Sequence, residues 1–157
     1  MYREITTIAT FVLVLLQSSN VIAIIMRHDV DAREYLLDTQ DYQSVIIISG
    51  CTATLIAPRW ILTAAHCVYP NNVEGNKAGD EITLIDQNIT ISTIHSYPDY
   101  TQEDIIKHDI ALIELSEPSF SILPTPLYEQ NNELGKVMKL TGYGVIGDGV
   151  QDIYDRC

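Results

Sequence analysis

From Tyr42 onward, apolar and β-branched residues gather in short runs separated by polar turn residues and prolines. The runs cover 44–49, 53–57, 60–63, 81–85, 88–94, 110–115 and 137–143, and each has the length of a strand. That rhythm predicts an antiparallel β-barrel or sandwich rather than alternating β-α-β units. No stretch carries long helical periodicity, and only 63–68 and 102–107 suit a single helical turn. Pro58, Pro70, Pro98, Pro118, Pro124 and Pro126 punctuate the runs, and Leu123-Pro124-Thr125-Pro126 reads as an extended connector.

The amino-terminal pattern differs. Arg3 precedes an apolar stretch from Ile8 to Leu16, followed by Gln17-Ser18-Ser19-Asn20 and Val21-Ile22-Ala23. The apolar run is shorter than the roughly 20 residues a spanning helix needs, and compact residues at 21 and 23 suit signal peptidase. Residues 1–23 are therefore expected to be a secretion signal and 24–157 the mature domain, secreted and free of the membrane after cleavage. Export places the three cysteines in an oxidising compartment, where Cys51 and Cys67 can bond. Cys157 is then the odd one, open to a bond with another chain or with a partner not in this sequence.

At 157 residues with 46% hydrophobic content, the chain suffices for a real core. Its formal charge of −12 and pI near 4.4 would repel nucleic acid and anionic membrane. The acidic residues are scattered as on a solvated surface.

The chemistry-bearing residues are few. His66 is followed 43 positions later by Asp109, which opens the run Ile110-Ala111-Leu112-Ile113. A histidine works as general base near neutral pH when a carboxylate on its other ring nitrogen fixes the tautomer and stabilises the imidazolium. Either residue alone would be ordinary: a His beside a Cys is usually structural, and an Asp before a strand is usually a turn residue. No cofactor or metal is expected, because His28, His95 and His108 stand at no metal-ligand spacing with one another or with the cysteines. The polar loop from Tyr69 to Glu81 reads as solvated in preference to calcium-binding. Asn88-Ile89-Thr90 is a glycosylation sequon inside an expected strand.

Taken in order, Cys51-Thr52-Ala53-Thr54-Leu55-Ile56, Trp60-Ile61-Leu62-Thr63-Ala64-Ala65-His66-Cys67 and Asp109-Ile110-Ala111-Leu112 resemble the trypsin-like, chymotrypsin-fold serine proteases. Tyr97-Pro98-Asp99-Tyr100 and Thr141-Gly142-Tyr143-Gly144 resemble further motifs of that family, in the right order. The resemblance implies two antiparallel β-barrels, with His66, Asp109 and a Cys51–Cys67 disulfide on the first. It puts the nucleophilic serine, the oxyanion hole and the specificity pocket on the second, and it implies protein or peptide substrates. By that comparison the chain supplies one barrel and the opening of the other. Thr52 and Ala53 stand for two glycines, His108 for a common Asn and Tyr143 for Trp, each expected to be tolerated on a barrel surface.

No Gly-Asp-Ser-Gly-Gly occurs in the chain, and 48 residues follow Asp109 where the family would put the serine about 90 residues on. Two readings result. The chain is the N-terminal portion of a serine endopeptidase and inactive as it stands, or it is an inactive secreted homologue acting as a binding or regulatory protein. An unrelated acidic β-sandwich leaves His66-Cys67 and Asp109-Ile110 unexplained. Cleavage after Ala23 would expose Ile24-Ile25, which lies 27 residues before Cys51, about where the family places its new terminus. A strand near 137–143 would leave an open apolar edge that needs a partner.

Overall fold

Short apolar runs bury themselves here by pairing, each strand turning one row of side chains inward. The computed structural model describes residues 24–25, 27, 29–68, 75–103, 107–143, 146–147 and 152–153. Its strands are β1 (Ile24–Ile25), β2 (Val45–Ile48), β3 (Cys51–Ala57), β4 (Trp60–Thr63), β5 (Glu81–Leu84), β6 (Gln87–Ser96), β7 (Ala111–Leu115), β8 (Ile146–Gly147) and β9 (Asp152–Ile153). The expected secretion signal, Gly144 and Cys157 lie outside the described residues. Among the described residues, no helix is long and apolar enough to cross a membrane.

β2 to β7 form one six-stranded antiparallel sheet in the order β2-β3-β4-β7-β6-β5, which curls into a nearly closed barrel. The inward row includes Leu55, Ile61, Leu84, Ile89, Ile91, Ile113 and Leu115, each at most 1% exposed. Removing one such side chain from water stabilises the fold by about 1.5–3 kcal/mol. Tight connections set the register. Ser49 and Gly50 both adopt positive φ between β2 and β3, the geometry of a two-residue hairpin that matches strand twist. A two-residue turn, Ile85-Asp86, joins β5 to β6.

The outermost strands of the sheet, β2 and β5, both line an open groove of about 860 Å³, together with Tyr42, Ile122 and Tyr143. The barrel therefore curls round without a ladder joining its two edges. In a second, small sheet β8 pairs with β9 and, in parallel, with β1, Ile24 lying opposite Ile146.

Two expectations need correction. Residues 137–143 form no strand: Val137, Met138 and Leu140 are exposed, and no ladder includes them. The open edges are those of β2 and β5 instead. One side chain holds the end of the segment, since Thr52 Oγ1 donates to the Tyr143 carbonyl and accepts from the Tyr143 N–H, both at 2.8 Å. Nor is Ala53 on the barrel surface; it is 1% exposed and belongs to the core.

Candidate active site

Antiparallel pairing brings distant residues to one end of the barrel. Thr63, the last residue of β4, lies opposite Ala111, the first of β7, which also faces Ser96 at the end of β6. The residues just outside those strand ends must then meet. They are the 3₁₀ turn Ala65–Cys67, within the helical turn expected over 63–68, and the segment 108–110. Cys51, at the start of β3, reaches the same end because Thr54 pairs with Leu62. Its sulfur bonds Cys67, with Cα atoms 6.2 Å apart.

His66 and Asp109 are brought into contact there. Asp109 Oδ2 lies 2.7 Å from His66 Nδ1, and Oδ1 accepts the His66 backbone N–H at 2.9 Å. An ionised carboxylate only accepts, so the imidazole proton sits on Nδ1 and Nε2 presents a lone pair. Nε2 lies 3.4 Å from Cys67 Sγ and 3.7 Å from Cys51 Sγ. Disulfide sulfurs carry no proton, so this contact fixes the ring by packing and does not protonate Nε2. Although Cys51, His66 and Cys67 place three ligand atoms within 4.8 Å, the bonded sulfurs offer no thiolate to a metal. The imidazole is half exposed and the carboxylate 23% exposed.

Asp109 does a second job that nothing in the sequence announced. Ala64, at the cap position of the 3₁₀ turn, has no side-chain capping bond, and the first N–H groups of any helical turn need acceptors. The Asp109 carboxylate supplies one from 43 residues away, taking the N–H group of His66. Partial burial opposes its ionisation, but the His66 N–H and imidazole outweigh burial and hold the carboxyl below its ordinary pKa. The unfolded chain, with a carboxyl pKa of about 3.9, therefore takes up the proton first as pH falls. The resulting stability is complete above that value and is lost as pH drops through the lower folded value. We expect the urea midpoints of wild type and Asp109→Asn to differ by a constant amount above about pH 5 and to converge below pH 4.

The main chain aims this carboxylate. Ile110 N–H bonds the His108 carbonyl at 2.8 Å, closing a three-residue turn centred on Asp109. His108 has φ +60°, the left-handed region that His, Asn and Asp occupy far more readily than other residues. That is the physical reason His can stand where the family commonly has Asn. The His108 ring also stacks on Tyr97, centroids 4.8 Å apart and planes 9° from parallel, while Tyr97 N–H bonds the Ile110 carbonyl. His108→Val should cost about 1–2 kcal/mol, whereas His108→Asn should leave the denaturation midpoint nearly unchanged. The Thr52 clamp, the Asp109 cap and the Tyr97–His108 stack escaped sequence reading, and only the His-for-Asn exchange at 108 hinted at any of them.

In the polar loop from Tyr69 to Glu81, residues 69–74 are outside the described set. Of the rest, Asp80 Oδ2 accepts the Lys77 N–H at 2.8 Å and Asn76 Oδ1 accepts from Ser49 Oγ at 2.5 Å. The helical turn expected over 102–107 likewise falls partly on residues outside it.

Comparison with known proteins agrees with this geometry. The family model described as Trypsin matches residues 30–153. Mouse tryptase is 36% identical over 111 residues, covering 64% of this chain and 40% of the tryptase. Brachyurin of Leptuca pugilator is 34% identical over 115 residues, covering 67% of this chain and 49% of the brachyurin. The chain thus spans less than half the length of either relative. With the family model matched over most of its length, the chain belongs to the trypsin family of serine proteases.

Proposed function

We propose that the protein is the N-terminal part of a secreted serine endopeptidase. His66 is the general base, Asp109 orients it, and the nucleophilic serine is supplied by sequence beyond Cys157. The observation that carries this reading is the 2.7 Å contact between His66 Nδ1 and Asp109, with Nε2 left as the basic nitrogen. In the reaction, Nε2 takes the serine proton as the hydroxyl oxygen attacks the scissile carbonyl. Asp109 then stabilises the imidazolium, which returns the proton to the leaving amine, and water completes the cycle through the acyl-enzyme. Protein or peptide chains are the substrates.

Residues 1–23 direct export, and signal peptidase leaves Ile24 as the mature terminus. Ile24–Ile25 pairs in parallel with Ile146–Gly147, so the residues at the proposed terminus have a place in the small sheet. Edman sequencing of secreted protein should begin at Ile24, and any other start would overturn the assignment. The test of the function is the reading frame past the codon for Cys157. A serine in a Gly-Asp-Ser-Gly-Gly setting about 90 residues after Asp109 is expected. A stop codon would give the protein no nucleophile and turn the reading to an inactive homologue with a binding role.

A further inference from the structure

We propose that Asn88 is a site of N-linked glycosylation, a reading that rests on export of the chain. Asn88-Ile89-Thr90 is the only Asn-x-Ser/Thr triplet in the sequence, although the chain has seven asparagines. In the linkage reaction, Asn88 Nδ2 attacks the anomeric carbon of a lipid-pyrophosphate oligosaccharide. The N–C bond forms as the bond to pyrophosphate breaks, and Nδ2 loses one proton.

A sugar attached before folding must be accommodated by the finished barrel, and the geometry at Asn88 accommodates it. Asn88 is the second residue of β6, just past the Ile85-Asp86 turn, and it is exposed. Ile89 is fully buried, so strand alternation commits Asn88 to the outer face. Thr83 lies directly opposite on β5, and its Oγ1 donates to Asn88 Oδ1 at 2.8 Å. That bond engages the amide oxygen and turns Nδ2, the atom that would carry sugar, away from Thr83.

The position also suits both the chemistry and the weak side of the fold. Asn88 and Ser96 are at opposite ends of β6, about 26 Å apart at roughly 3.3 Å per residue. Ser96 pairs beside the segment that carries Asp109, so a glycan at Asn88 stands clear of His66. It would instead sit over the β5 edge, where Ile85 is 57% exposed and no outer strand pairs among the described residues. Bulky hydrophilic cover is one way an edge strand is kept from pairing with another chain.

The test is translation of the full chain into membrane vesicles competent for glycosylation, scoring only the protease-protected product. Two forms are run in parallel, one with its own amino terminus and one with an unrelated cleavable signal placed before Ile24. Protected chain should show a single upward step in size that peptide N-glycosidase removes, leaving Asp at position 88 by peptide mass spectrometry. The step should vanish in Asn88→Gln and in Thr90→Val and persist in Thr90→Ser. Protected chain running at the unmodified size would overturn the proposal. Glycosylation of the fused form alone would sink the export reading while upholding the site.

Discussion

On the proposed endopeptidase reading, Asp109→Asn is expected to lower kcat by about four orders of magnitude, the loss seen when a triad carboxylate is amidated elsewhere. The reason lies in the donors and acceptors at 2.7 Å. A carboxylate can only accept from Nδ1, which keeps Nε2 basic; an amide offers an NH₂ as well and favours the tautomer with its proton on Nε2, where the base is disabled. It also removes the negative charge that would stabilise the imidazolium. Four orders correspond to about 5.5 kcal/mol of transition-state stabilisation. KM should move little, because the Asp109 carboxylate is taken up by His66 Nδ1 and the His66 N–H. A loss below tenfold would remove Asp109 from the role assigned to it. Nitrogen NMR of His66 gives a second readout, with the Nδ1–H tautomer in the wild type replaced in the variant.

Removing the Cys51–Cys67 bond has the largest expected effect on stability. Paired replacement by Ala should lower the unfolding free energy by about 3 kcal/mol, the chain-entropy figure for a loop of this size. The bond links residues 16 apart. At a slope of about 1–3 kcal/mol per molar urea, the midpoint should fall by at least about 1 M. Alanine is the informative replacement, since Cys67 is 1% exposed and a serine hydroxyl there would be buried without need. The loss should reach the chemistry too, because the two sulfurs are the packing surface under the His66 ring. A midpoint that does not move would mean that the β3–β4 ladder alone holds this end of the barrel.

The barrel was legible in the sequence wherever a strand has a partner on each side or a tight hairpin. The run 81–85 announces itself because Glu81 and Thr83 face water while Ile82 and Leu84 are buried, an alternation that pairing with β6 enforces. The run 137–143 has equally apolar residues and is not a strand, because strand propensity expresses itself only in a ladder, and no described strand pairs with it. At Ile110 the run extends one residue beyond the ladder. Its N–H is taken by the His108 carbonyl, so β7 starts at Ala111 and Asp109 is free to turn inward. The pairing of His66 with Asp109 and of Cys51 with Cys67 was visible through motif order. What motif order could not convey is that the same carboxylate caps the turn carrying its histidine, since the bond joins residues 43 apart and depends on the β4–β7 register.

The most direct test of a catalytic His66–Asp109 pair is covalent labelling of the complete gene product with a fluorophosphonate, which reacts with a serine only when a base activates it. We predict stoichiometric labelling of one serine, lost in His66→Ala and strongly slowed in Asp109→Asn. A product that takes up no label, or one labelled equally fast without His66, would contradict the account.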